Sequence, residues 1–206
     1  MVYRKNKAAE ERKEARRRLL LDAATRLFGK HGYHATTVPM IVAEASSSTG
    51  SFYMYFENKE DVFSAALEEL GQAVLGMMAQ VRASEPDPLK RISLVLEELF
   101  LHFARNPEQA RILIVESSGL SPRLELTRRE ILRQATEEVR RAFEGESSAF
   151  EVENSLIAAQ CTVGATFEAL CCWLEEDPEM RVPATDIARS VARFTARAIE
   201  KGRAES

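Results

Sequence analysis

Cysteine is scarce in this 206-residue chain, with three residues, Cys161, Cys171 and Cys172, in one short stretch. An odd number on one segment argues against a disulfide framework and predicts reduced thiols in a helix core. Adjacent helical residues point about 100° apart, so Cys171 and Cys172 are poorly placed to share a soft metal or to act together as a thiol sensor. No unbroken apolar run approaches the ~20 residues of a membrane span, and the charged start MVYRKNKAAEERKE lacks the apolar core of a signal peptide. A cytoplasmic protein with no membrane partner is expected. Alternation of apolar and polar residues between turn signals is missing throughout, which predicts an all-α chain. Equally missing are a nucleophile beside a base, a phosphate loop, paired carboxylates in an apolar setting and a metal-ligand cluster. The expectation is therefore no enzyme, no cofactor and no metal. His31 and His34 have no acidic or thiol partners at ligand spacing and are expected at the surface. Glu125, Glu130, Glu137 and Glu138 lie among arginines at helical spacing, as on a solvated, ion-paired face.

Charge is unevenly spread. Up to Lys59 there are 11 Lys+Arg against 6 Asp+Glu, a net +5, whereas the remainder carries 17 against 26, a net −9. The basic end also holds the most informative stretch, ATTVPMIVAEASSSTGSFYMYFENK, from Ala35 to Lys59. Thr37 is placed to cap a short helix with Pro39 in its first turn, where a missing N–H removes no intrahelical bond. Val38, Ile41 and Val42 give that helix an inward face, and the serines after Ala45 compete with helix through local side-chain bonds. A second helix begins around Ser48 with Phe52 and Phe56 as its buried pair. Its other faces are small at the start (Thr49, Gly50, Ser51) and aromatic toward the end (Tyr53, Met54, Tyr55). Small side chains permit close approach to base edges and hydroxyls reach phosphate oxygens, so the pair reads as a helix-turn-helix for double-stranded DNA.

These residues resemble the tetracycline-repressor (TetR/AcrR) family of bacterial regulators. The family pattern T-x-x-x-I-x-x-x-A-G-V-S-x-G-x-hydrophobic-Y-x-[HY]-F-x-x-K-x-x-[LV] is matched at Thr37, Ile41, Ala45, Ser48, Gly50, Phe52, Tyr53, Tyr55, Phe56, Lys59 and Val62. Upstream, LLLDAATRLFGKHGYHATT fits as well, so the resemblance spans Arg17 to Leu70, about a quarter of the chain. The chain departs from the pattern at the turn, where Ser46 and Ser47 replace Gly and Val. Thr49 and Met54 stand where recognition helices usually carry basic residues. These departures bear on the operator sequence rather than the fold.

The resemblance implies an N-terminal three-helix DNA-binding domain followed by a larger helical ligand-binding and dimerisation domain. The corresponding division is a basic arm over 1–15, the helix-turn-helix domain over 16–60, and the second domain over 61–206. Thr37, Ser48, Tyr53, Tyr55 and Lys59 are expected at phosphates, and Thr49, Gly50, Ser51 and Met54 at bases. The implied partners are a palindromic operator, a small-molecule inducer and a second copy of the chain. A homodimeric repressor released by a lipophilic inducer is the expected function, for example a fatty acyl thioester, an aromatic acid or a drug-like molecule. The alternative is a helical sensor with a degenerate helix-turn-helix.

Farther along, Asn58 caps a long helix from Lys59 to about Arg82. Asp87-Pro88, Asn106-Pro107 and Ser121-Pro122 each predict a cap followed by a helix, over Pro88 to Arg105, Pro107 to Ser118 and Pro122 to about Glu144, and Asn106 with Gln109 fits a capping box. The last helices run from Phe150 to Glu176 and from Ala184 to about Lys201. Met77, Phe100, Phe103, Ile112, Glu116, Phe143, Gln160 and Phe167 are the expected ligand contacts, apolar walls with a few orienting polar groups. In the resembled family the last two long helices meet a symmetry mate, which casts Leu170, Trp173, Leu174, Ile187, Val191, Phe194 and Ile199 as the dimer face.

Overall fold

The structure, a computed structural model, describes residues 2–145 and 153–199. All regular elements among the described residues are helical: α1 Val2–Ala35, α2 Val38–Glu44, α3 Thr49–Tyr53, α4 Lys59–Ser84, α5 Pro88–Arg105, α6 Pro107–Ala110, a π-helix Arg111–Glu116, α7 Pro122–Gly145, α8 Ser155–Glu175 and α9 Ala184–Ile199. α8 opens at Ser155 rather than running on from Phe150, because Asn154 is extended and caps it by accepting the N–H groups of Leu156 and Ile157; the expected start at Phe150 itself and the expected end of the last helix near Lys201 lie outside the described residues. Backbone 2–15, expected as an arm, continues α1 without a break.

Caps set most of the boundaries. Thr37, Ser48, Asn58 and Asp87 each accept a backbone N–H of the first turn that follows. Ser121 Oγ does the same for Leu124 N at 3.2 Å. Asn106 does not. Its side-chain amide instead donates to His102 O at 2.8 Å, closing α5 rather than opening α6, and no capping box forms. The expected helix over Pro107 to Ser118 is likewise divided: after one α-turn it widens into the π-helix, a form that occurs mostly as short insertions at functional sites. α1 is broken at Gly32, whose φ of +80° and ψ of 165° are not helical, before a short piece continues to Ala35.

Two larger cores and one smaller result. The first gathers Leu20 and Phe28 of α1, Ile41 of α2, Phe52 of α3 and Val62 and Phe63 of α4, and is completed by Ile112 of the π-helix and Leu124 of α7. The second gathers Leu67, Phe100, Phe103, Leu113, Leu170 and Trp173. Phe143, Ala159 and Ile199 form the third. α4 belongs to both larger cores, so the expected boundary at residue 60 falls at the start of a helix shared by the two halves. α1 packs so closely on α6 that a Cβ at Gly29 would lie 2.4 Å from Glu108 Cβ.

The cysteines are not core residues. Cys161 and Cys172 are exposed and Cys171 is half-buried, because the buried stripe of α8 passes instead through Ala159, Thr166, Leu170, Trp173 and Leu174. By length and composition α8 is also apolar enough to cross a membrane. The sequence reading missed this because Gln160, Thr162, Thr166 and Glu168 interrupt any unbroken apolar run.

Candidate DNA-reading face and effector cavity

α2 and α3 are joined by a tight turn in which Ser46 adopts φ +46°, the left-handed backbone expected for the position that usually holds Gly. Ser47 N donates to Val42 O at 2.8 Å, while the buried Ser47 hydroxyl has no partner. The turn sets the angle at which α3 leaves the domain. α3 is shorter than expected, ending at Tyr53, so Met54 and Tyr55 lie in the turn after it and Phe56 is held through its N–H to Phe52 O at 3.0 Å. Phe52 and Phe56 are both buried, as expected.

The reader residues come together on one open surface. Thr49, Gly50, Tyr53 and Met54 are exposed, Met54 by 75%, and Ser51 is half-exposed. A Cβ at Gly50 would touch nothing, so packing within the chain does not require glycine there. The hydroxyls of Thr37 and Ser48 accept N–H bonds from Met40 and Ser51, and each keeps its own O–H to donate. Tyr55 is half-buried against the first core, with less of its ring available than Tyr53.

Lys59 is more enclosed than the sequence implied. Its ammonium donates to Tyr33 O at 2.8 Å and His34 O at 3.4 Å, and sits 4.3 Å from the centre of the Tyr33 ring. Burial there pulls its pKa below the ordinary lysine value. One N–H of the ammonium remains for a phosphate. The same junction is held from the other side: Tyr33 N donates to Glu116 Oε2 at 3.2 Å, and Glu116 also pairs with Arg111 at 3.3 Å. Thus α4 and the π-helix both grip the C-terminal end of α1. α7 is fastened to the first turn of α4 by Ser121 donating to Glu60 at 2.6 Å and by Arg123 paired with Asp61 at 2.7 Å.

Between α4, α5, α7, α8 and the π-helix lies a cavity of about 180 Å³. Phe103, Phe143 and Phe167 line it, as expected. The other five expected contacts do not. Phe100 is core, edge-on to Trp173, and Met77 packs against the same core. Ile112 is buried in the reader's core, Glu116 faces the α1 junction, and Gln160 is exposed on the outer side of α8. The errors share a cause: apolar spacing marks a buried face without saying which buried face borders an empty space. The lining that was missed includes Leu113 and Ile114 of the π-helix, Val95 of α5, and, apart from Leu132, Val139 and Phe143, a row on α7. That row, Arg128, Ile131, Leu132, Ala135, Val139, Ala142 and Phe143, follows helical spacing and was readable as one face.

Residues 20–66 match the family described as bacterial regulatory proteins, tetR family. Those residues form a tetR-family DNA-binding domain. Across its length it is 28% identical to the nucleoid occlusion factor SlmA of Aliivibrio fischeri, over 175 residues that cover 82% of this chain and 89% of that one. Two solved structures share the whole fold. FadR of Bacillus subtilis in complex with stearoyl-CoA superposes with a TM-score of 0.76 at 23% identity, covering 86% of this chain and 96% of that one. The SmeT–triclosan complex, SmeT being the repressor of a Stenotrophomonas maltophilia efflux pump, gives 0.76 at 24%, covering 91% and 92%. The match makes its N-terminal domain that of a bacterial DNA-binding regulator. Its helix-turn-helix is the stretch from Thr37 to Tyr53.

Proposed function

We propose that this tetR-family regulator is a homodimeric repressor whose hold on a palindromic operator is released by a small lipophilic ligand in the cavity. One observation carries the reading: α4 and the π-helix wall the cavity through Val74, Leu113 and Ile114, and the same two elements grip the α1 end through Lys59 and Glu116. Drug-sized sites usually measure ~300–1,000 Å³, so a ligand entering this smaller space displaces its walls. Displaced walls shift α4 and the π-helix, and with them the α1–α2 junction. A ligand acts this way only through differential affinity for the two arrangements; a 100-fold weakening of operator binding needs about 2.7 kcal/mol. Stearoyl-CoA and triclosan in the two similar structures support a lipophilic occupant.

In this reading Thr37, Ser48, Tyr53, Tyr55 and Lys59 contact phosphates, and Thr49, Gly50, Ser51 and Met54 face the bases. The dimer forms through the outer faces of α8 and α9, where Leu156, Ile157 and Phe194 stand exposed. Leu170, Trp173, Leu174 and Ile199 are buried within the subunit and take no part, while Ile187 and Val191 are half-buried against its core. Two-fold symmetry then sets the readers about 34 Å apart or slightly more and demands a two-fold operator. Binding-site selection from random duplexes tests the assignment. A symmetric consensus that changes with Thr49→Ala or Met54→Ala is expected. Recovery of unselected sequences would favour the degenerate-reader alternative, to which the carbonyl-bound Lys59 and the Arg26–Glu44 pair at 3.2 Å lend weight by occupying nearby cations.

A further inference from the structure

Resting on the cavity as the effector site, we propose that its ligand is a single-chain amphiphile with a carboxylate head, received by the Arg128 guanidinium. The walls are almost wholly carbon, yet the charged groups at their edge are Arg82, Arg91, Arg128 and Glu138. Three guanidinium groups against one carboxylate favour an anion. Their commitments differ. Arg82 is paired with Glu138 at 2.5 Å, and Arg141 takes the other oxygen of the same carboxylate at 3.1 Å. Arg91 is tied to the chain between α4 and α5, donating Nε and Nη2 to Glu85 O at 2.9 and 2.8 Å.

Arg128 is held more loosely. Its Nη1 reaches Glu125 Oε1 at 3.4 Å, a long bond to an oxygen that Arg129 Nε approaches to 3.0 Å. Its Nε is buried with no hydrogen-bond partner. The guanidinium carbon lies 4.9 Å from the centre of the Phe167 ring, which holds the group beside a cavity wall. A buried N–H left unmade carries the full desolvation cost of that donor, and Nε–H beside an Nη2 N–H is the fork that a carboxylate accepts with both oxygens. A ligand headgroup at this point satisfies what the chain leaves open.

The tail follows from the α7 row. Past Arg128 the lining residues are Ile131, Leu132 and Ala135, and the next charged one is Glu138. Ten helical residues span about 15 Å, which an extended chain covers in about a dozen bonds. A slim chain also suits the small volume better than a fused ring system does.

Calorimetric titration of the full chain with saturated fatty acids of graded length, with the methyl ester of each, and with the corresponding acyl-CoA tests the proposal. The acid is expected to bind at least tenfold tighter than its ester, with an optimum at medium chain length. Arg128→Gln should cost the acid at least tenfold and leave the ester unchanged, and Arg128→Lys should restore part of the loss. Circular dichroism melts establish that both variants fold, and Leu132→Trp, which fills the cavity, should abolish binding of every probe. Equal binding of acid and ester in wild type, or acyl-CoA binding tighter than the acid and indifferent to Arg128, overturns the carboxylate head while leaving the cavity as the effector site. No binding by any amphiphile, or binding that Leu132→Trp does not touch, overturns both.

Discussion

Ser46 and Ser47 hold the turn that aims α3, and neither residue is the one its surroundings favour. A left-handed backbone costs a side-chain-bearing residue about 1–2 kcal/mol relative to glycine, and Ser46 sits there at φ +46°. Ser47 carries a buried hydroxyl without a partner, a loss of the same order. We therefore expect Ser46→Gly to stabilise the protein by about 1 kcal/mol and Ser47→Val by about 1–2 kcal/mol, read as shifts in the urea midpoint at unchanged slope. A neutral or destabilising effect of both would mean that the turn differs from the one described. The strain at Ser46 was legible from the sequence, since the family pattern has Gly there. The role of Lys59 was legible only in part: its position marked it as basic and near DNA, but its carbonyl partners come from the far end of α1, 25 and 26 residues away in sequence.

At the scale of elements, the proposed release requires α6 and the π-helix to stay seated on α1. Gly29 permits that contact, because a Cβ there would meet Glu108 Cβ at 2.4 Å and Glu108 O at 2.5 Å. Gly29→Ala should destabilise the protein by about 2 kcal/mol and weaken any effect of ligand on DNA binding, measured by thermal melts and by titration of the bound complex. α7 offers a pH test. Arg140 bonded to Glu137, and Arg133 bonded to Glu130, hold each carboxyl at about 2, down from the ordinary 4.5. A depressed carboxyl contributes stability that is complete above the unfolded value and lost as pH falls toward the folded one. Glu137→Gln should therefore flatten the acid limb between pH 4.5 and 2, and 1 M salt should do much the same, since these pairs lie at the surface. An unchanged limb would remove these pairs from the acid response. Helix starts were readable at Thr37, Ser48, Asn58, Asp87 and Ser121 but not at Asn154, and the split after Ala110 was not readable, because a π-helix uses the same apolar residues as an α-helix and differs only in how they are wound. Asn106 failed as a cap for a related reason: a side-chain amide can donate backward as readily as it accepts forward.

For the whole molecule, the proposed dimer would cover the exposed apolar residues of α8 and α9. Only Ala159, Thr166, Leu170, Trp173 and Leu174 are buried among the 21 residues of α8. Phe194, 66% exposed, stands on α9 beside Arg193 and Arg197. Phe194→Glu is expected to shift sedimentation from dimer to monomer at micromolar protein and to weaken operator binding by tenfold or more, with the melt of the monomer little changed. A dimer that persists would move the interface elsewhere. The sequence found both helices, though it began the first of them five residues early, and it could not divide their apolar residues between inner and outer faces, because Leu, Trp and Phe serve a subunit core and an interface alike. In the proposed function a two-fold dimer reads specific DNA through the Thr49–Met54 surface. Fluorescence anisotropy with duplexes from the protein's own upstream region and their scrambled counterparts, over a salt series, tests it most directly. Nanomolar binding of one dimer to a symmetric site, at least a thousandfold above the scrambled duplex at physiological salt, is the predicted result; equal and steeply salt-dependent binding to both duplexes would contradict it.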